Sequence, residues 1–191
     1  ERARKDLKAD AEKEGAKLTP LAFILRACVK ALREFPQFNA SLHADGQQLV
    51  MKQYYNVGFA VDTPGGLVVP VIKELEKKSL FQVARELGEL SEKARDGKLA
   101  AADLQGGNFT VSSLGSIGGT FFTPIINAPE VAILGVSRHK MQPVWQDGEF
   151  VPKLMLPLSL SYDHRVIDGA AAVRFTRYLA ELLADTDRLL A

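Results

Sequence analysis

From Leu154 to Tyr162 every second residue is large and apolar: Leu154, Leu156, Leu158, Leu160 and Tyr162. Met155, Pro157, Ser159, Ser161 and Asp163 fall between them. A period of two belongs to a strand with one face on a core. His164 continues the phase of Tyr162, so strand parity aims it inward. Asp168 and Gly169 then open an amphipathic stretch to about Leu190, which predicts a long final helix. The chain must therefore provide a sheet, and a helix must return to cover it.

The rest of the chain supplies both. Residues 1–14 are charged and helix-prone, with Gly15 as a stop. Thr19-Pro20 places a capping residue before a first-turn proline. Leu21, Ile24, Leu25, Cys28, Val29 and Leu32 follow at helical spacing, and Pro36 ends that helix. Asn39 to Ile72 predicts strands, with a hairpin turn at Asp45-Gly46 and another turn at Thr63-Pro64-Gly65-Gly66. Ser79 with Gln82 predicts a capping box on a helix running to about Arg95. Phe109–Ser113 and Val131–Val136 predict strands. Met141–Trp145 and Glu149–Met155 predict a hairpin closed at Asp147-Gly148. Helices and strands mix without a βαβ rhythm, so the class is α+β with a mixed or antiparallel sheet.

Composition narrows the function. The 191 residues fit one domain, and a net charge of +1 offers no broad electrostatic surface for nucleic acid. No apolar run is long enough to span a bilayer. The single cysteine, Cys28, excludes an internal disulfide, and the composition suggests an intracellular protein. Cys28 lies on an apolar helical face, which suits packing better than nucleophilic chemistry. Three scattered histidines and one cysteine have no metal-ligand spacing. Neither a Gly-x-Ser-x-Gly elbow nor a Gly-x-Gly-x-x-Gly fingerprint is present.

The chemistry that remains sits at His164 and Asp168. An imidazole at a strand end is a natural general base. By spacing alone, a packed histidine followed by a helix-capping aspartate fits equally well. The segment His164-Arg165-Val166-Ile167-Asp168-Gly169 resembles the His-x-x-x-Asp-Gly signature of coenzyme A-dependent acyltransferases. The longer string from Leu158 to Ala170 resembles the acyltransferases of the 2-oxoacid dehydrogenase complexes. Phe109–Gly119, Thr123–Gly135 and Asp62–Ile72 resemble further blocks of that family, so the resemblance spans nearly the whole chain.

That resemblance implies a chloramphenicol acetyltransferase-like fold, with a mixed sheet, flanking helices and assembly into trimers. It implies one catalytic domain over residues 1–191, with an N-terminal stretch of the family domain missing. It implies His164 as general base, Ser112 as donor to an oxyanion and Asp168 as local support. Ser113 and Ser116 are rivals to Ser112. Asp62, Ser137 and Arg4 are implied contacts for substrate or coenzyme A, although a solvated helix charge explains Arg4 as well. His43 and His139 receive no role.

The implied reaction moves an acyl group, acetyl above succinyl or branched-chain groups, between a dihydrolipoyl thiol and coenzyme A. The implied partners are lipoyl domains and the decarboxylase and dihydrolipoamide dehydrogenase of a pyruvate-type complex in the bacterial cytoplasm. Trimers could build a larger cage. No metal is implied. A chloramphenicol-type acetyltransferase and a purely structural core protein are the alternatives; the second would be expected to lack the histidine.

Overall fold

The computed structural model describes residues 1–191. Helices α1 (Arg2–Asp6) and α2 (Lys8–Lys13) form a broken pair at the start, where one charged helix was expected. Their break at Leu7 leaves only Ala11 buried in the two helices. Gly15 ends the segment with a positive φ of 70°. Helix α3 (Pro20–Glu34) begins with its proline in the first turn and buries the predicted face, Ile24, Leu25, Cys28, Val29 and Leu32 among it. Thr19 precedes it in extended backbone, yet its hydroxyl makes no capping bond and is buried without a partner.

Six short strands follow: β1 (Ala40–Leu42), β2 (Leu49–Met51), β3 (Val57–Phe59), β4 (Val61–Thr63), β5 (Gly66–Val68) and β6 (Val71–Ile72). β1 and β2 form the hairpin expected at Asp45-Gly46, where Asp45 Oδ1 accepts the Gln47 N–H at 2.8 Å. Helix α4 (Leu80–Arg95) carries the capping box in full. Ser79 accepts from the Gln82 backbone, and Gln82 accepts from the Ser79 backbone.

Strands β7 (Phe109–Ser113), β8 (Ala132–Val136) and β11 (Leu158–Tyr162) complete the main sheet, ordered β11-β8-β7-β3-β6. β3, β7 and β8 run parallel, and β11 and β6 are antiparallel edges. Between β8 and β11 the hairpin of β9 (Lys140–Gln146) and β10 (Glu149–Met155) stands apart from the sheet. It turns at Asp147 and Gly148, both with positive φ, as a tight two-residue turn requires.

One face of the sheet packs on α5 (Gly169–Ala184), and α3 packs in turn against α5 and α4. Phe38 and Phe175 stack at 4.1 Å between ring centroids, and Phe109 lies 5.8 Å from Phe175. Truncating a buried phenylalanine such as Phe175 to alanine should cost about 3–5 kcal/mol. At Gly135 the other face is covered by the segment after β7. A Cβ on Gly135 would lie 3.0 Å from the Phe122 ring and 3.2 Å from Pro124, so a larger residue there would press that segment outward by a few tenths of an ångström.

Three expectations for the C-terminal third need correction. The alternation from Leu154 to Tyr162 is not one strand: Leu154 belongs to β10, and the chain bends at Leu156-Pro157 before β11. The last helix is two, because Asp185 breaks the run and caps α6 (Thr186–Leu190) through the Arg188 N–H. His164 does not point into the core. β11 ends at Tyr162, and His164 sits exposed in the turn that follows. Parity holds only while the strand continues, and Asp163 ends it by turning the backbone back on itself.

Candidate active site

Ser112 occupies the penultimate position of β7 and is paired in register with Gly135 of β8. Beyond it the chain enters the turn Gly115–Gly119, where the Ile117 and Gly118 amides both donate to the Leu114 carbonyl. Gly115 rests against β8's exit, its would-be Cβ 3.5 Å from the Ser137 carbonyl. Ser137 is buried, and its amide donates to the Pro157 carbonyl at 3.1 Å.

These elements wall a cleft of about 700 Å³ that takes in Ser112, Ser137 and Asp62. Asp62 is exposed on the β4–β5 hairpin, opposite Leu67. Thr63 holds that hairpin by donating to the Gly66 carbonyl at 2.7 Å and accepting from the Gly65 amide. Ser113 and Ser116 face the same cleft, so its shape alone does not choose among the three serines.

Arg4 lies in a smaller adjoining cleft that shares Pro20, Ile24, His139 and Leu156 with the larger one. Its guanidinium is engaged by Glu1 through three hydrogen bonds of 2.9–3.1 Å. Three basic residues without a sequence-derived role also reach the larger cleft: Lys17, Arg95 and His139. His139 stands two residues after Ser137, in a segment that already resembled a coenzyme A contact, and that was the available signal. Lys17 and Arg95 come from the approach to α3 and the end of α4. Only the tertiary fold brings them together.

His164 and Asp168 are elsewhere. Ser112 is level with Gly135, and Gly135 with Ser159 of β11. His164 lies five residues past Ser159, toward the opposite end of the sheet. β11 ends at Tyr162, three residues past Ser159, so at about 3.3 Å per residue the His164 turn begins about 10 Å along the strands from the level of Ser112, and two strand spacings put it about 10 Å to the side. The Asp163 amide still donates to the Val131 carbonyl at 2.8 Å, so the turn stays at that end.

The His164 turn is built by its neighbours. Asp163 accepts from the Arg165 amide at 3.0 Å and from the Arg165 guanidinium through both oxygens, at 2.7–3.1 Å. That guanidinium holds the Asp163 carboxyl below the usual carboxylate range. His164 thus sits between two residues locked to each other, and its ring lies 5.5 Å from that of Tyr162. Asp168 caps α5, its Oδ1 accepting the Ala171 amide at 2.7 Å. Cys28 is buried and burial pushes its thiol up, as packing and not nucleophilic chemistry requires.

The sequence profile of the 2-oxoacid dehydrogenases acyltransferase family (catalytic domain) matches residues 1–191. The chain belongs to this family. It is 62% identical over 183 residues, 96% of its length, to the dihydrolipoyllysine-residue acetyltransferase component of the pyruvate dehydrogenase complex of Pseudomonas aeruginosa. It is 58% identical over 188 residues, 97% of its length, to the Haemophilus influenzae counterpart. The chain spans about a third of the length of these curated relatives, 34% and 33%.

Among solved structures, Azotobacter vinelandii dihydrolipoamide acetyltransferase superposes with a TM-score of 0.97 at 60% identity, covering 100% of this chain and 78% of that one. Chloramphenicol acetyltransferase superposes with a TM-score of 0.58 at 17% identity, covering 95% of this chain and 82% of that one, so the acyltransferase domain shares its fold.

Proposed function

We propose that this domain transfers an acyl group, acetyl by preference, between a dihydrolipoyl thiol and coenzyme A, at a site shared by two copies of the chain. The observation that carries the reading is the separation of Ser112 from His164. Reacting groups must approach to about 3–3.5 Å. Here the serine lines a deep cleft, and the histidine stands exposed at the other end of the sheet. A cyclic trimer makes every interface equivalent, so the cleft of one subunit can meet the His164 turn of the next.

The spacing of the site residues supports the assignment. The Azotobacter structure concerns the role of a serine, a histidine and an asparagine in catalysis, the serine 52 positions before the histidine and the asparagine four after it. Ser112, His164 and Asp168 stand at the same separations, with aspartate in place of asparagine.

In the proposed reaction His164 takes the proton from the coenzyme A thiol, which otherwise is mostly protonated near pH 7. The thiolate sulfur bonds to the carbonyl carbon of the acyl-dihydrolipoyl thioester. The tetrahedral oxyanion accepts the Ser112 hydroxyl. The carbon–sulfur bond to the lipoyl group then breaks, and protonated His164 returns its proton to that sulfur. No acyl-enzyme forms.

Ser137, Asp62 and the basic groups of Lys17, Arg95 and His139 suit a cleft for the long, anionic coenzyme. Arg4 could join them only by leaving Glu1. The partners in this reading are the lipoyl domain that presents the acyl group, and the decarboxylase and dihydrolipoamide dehydrogenase of a pyruvate-type complex in the bacterial cytoplasm. A related solved structure is the cubic core of the pyruvate dehydrogenase multienzyme complex, which supports assembly beyond a trimer.

Subunit mixing tests the shared site. His164→Ala and Ser112→Ala chains are dissociated, mixed in equal amounts and reassembled. With random mixing in a closed ring, about one quarter of the sites regain both intact groups. Activity toward dihydrolipoamide with acetyl-coenzyme A should rise well above either parent. If it stays at the parental average despite proven exchange of subunits, both groups act within one chain and the reading fails.

A further inference from the structure

Glu130 is a buried acid that no step of the acyl transfer uses. It precedes Val131 and β8, and only 7% of its surface is exposed. The Thr110 hydroxyl donates to its Oε1 at 2.9 Å, and the Asn127 amide group reaches the same oxygen at 3.4 Å. Its Oε2 is buried without a partner. Gly107 makes the room: a Cβ there would lie 3.0 Å from Oε1. Three stretches of chain therefore close on one carboxyl group. They are β7, the loop before it, and the Asn127–Glu130 turn.

Those stretches lead to both halves of the proposed chemistry. Thr110 lies two residues before Ser112 on β7. Val131, next to Glu130, accepts the Asp163 amide at 2.8 Å, and His164 is the following residue. A shift of Glu130 reaches the His164 turn through one peptide unit and one hydrogen bond.

We infer that Glu130 is a positioning residue whose carboxyl clamps the Asn127–Val131 segment to β7 and so sets where the His164 turn stands. The inference rests on His164 as the base.

The clamp works with a neutral carboxyl. Burial pushes Glu130 up to about 7, with the Thr110 and Asn127 hydrogen bonds opposing the shift. The groups that meet it are Thr110 of β7, Asn127 of its own segment, and Gly107, which Val71 of β6 also approaches. None of these is charged, so nothing offsets a carboxylate there. Ionisation leaves a buried, unpaired charge, and the segment relieves it by opening to water.

Glu130→Gln keeps the oxygen that accepts from Thr110 and never ionises. In the assembled protein, transfer rates at pH 6 and pH 8 are compared. At pH 8 roughly nine tenths of a group titrating near 7 is ionised. The ratio of the pH 8 rate to the pH 6 rate should therefore be about tenfold higher in Glu130→Gln than in the unaltered protein. Equal ratios would overturn the inference.

Glu130→Ala should lower kcat by about tenfold to a hundredfold with little change in KM for coenzyme A, the mark of a displaced catalytic group. It should also speed hydrogen exchange at the Asp163 amide. A raised KM with unchanged kcat and exchange would overturn the inference. Should the variants not fold, infrared spectroscopy of the unaltered protein reads the same group directly. A buried protonated-carboxyl band that persists above pH 6 and bleaches near pH 7 supports the clamp, and its absence overturns it. Because that band is read without turnover, failure of His164 as base and failure of Glu130 as clamp are separable.

Discussion

Where β7 stops, one chain does most of the building. Ser112 faces a cleft of about 700 Å³, and the glycine turn, Ser137 and the β4–β5 hairpin close around it. Where β11 stops, little is enclosed. His164 is exposed, braced from behind by the Asp163–Arg165 pair and by the capped start of α5, with open space in front. In the proposed reaction the first region holds a ligand and the second is presented to one. Neither end completes the site alone in that reaction, because the exit of β7 and the end of β11 lie at opposite ends of the sheet.

The sharpest way to break this comparison is to remove the presented group. His164→Ala should lose about 10²–10⁴ in turnover, the contribution of a positioned base. The protein should stay folded, because the side chain is exposed and its turn is held by Asp163, Arg165 and Asp168. Steady-state rates alongside circular dichroism check both halves. A folded variant with near-normal turnover would remove His164 from the chemistry.

Ser112→Ala tests the enclosed end, with a smaller expected loss of about 10²–10³ and little change in coenzyme A affinity. Ser113→Ala and Ser116→Ala face the same cleft and serve as internal controls. If either loses more activity than Ser112→Ala, the donor is misassigned while the cleft keeps its role.

The two ends also differed in how far the sequence revealed them. Several local signals held, although Thr19 makes no capping bond and the first charged helix breaks at Leu7. The Ser79–Gln82 box, the Asp147-Gly148 turn and the limits of β7 appear as their residues imply. The family motifs named Ser112, Asp62 and Ser137, and the fold gathers those three into one cleft. The inward aim of His164 failed because alternation carries no information past the residue that ends the strand. Lys17 and Arg95 were invisible because they come from separate helix ends. Glu130 lay inside a block that resembled the family, but its isolation from charge depends on Thr110, Asn127 and Gly107 meeting around it. No spacing in the chain encodes that meeting.

Unfolding against pH measures that isolation independently of rate. A carboxyl raised from 4.5 to about 7 favours the folded state fully below pH 4.5, and this contribution is lost as pH rises toward 7. The full span is about 3 kcal/mol at 1.36 kcal/mol per pH unit. Glu130→Gln should flatten the stability profile over that window relative to the unaltered protein. Parallel profiles would mean that the carboxyl reaches water and that the His164 end is not clamped from within.

The smallest expected effect belongs to Asp168, and it separates support from chemistry. Its carboxylate accepts the Ala171 amide at 2.7 Å and so caps the helix that follows the His164 turn. Asparagine caps a helix about as well as aspartate, whereas alanine loses about 0.5–2 kcal/mol. If capping is the whole role, Asp168→Asn should match the parent in both thermal unfolding and turnover. Asp168→Ala should then lower stability by that amount and reduce turnover only as far as the turn loosens. The order of the two variants decides the point. Should Asp168→Asn unfold normally yet lose tenfold or more in turnover, the negative charge itself would act on the His164 imidazolium formed during transfer. The His164 end would then be an electrostatic partner in the reaction as well as a presented base.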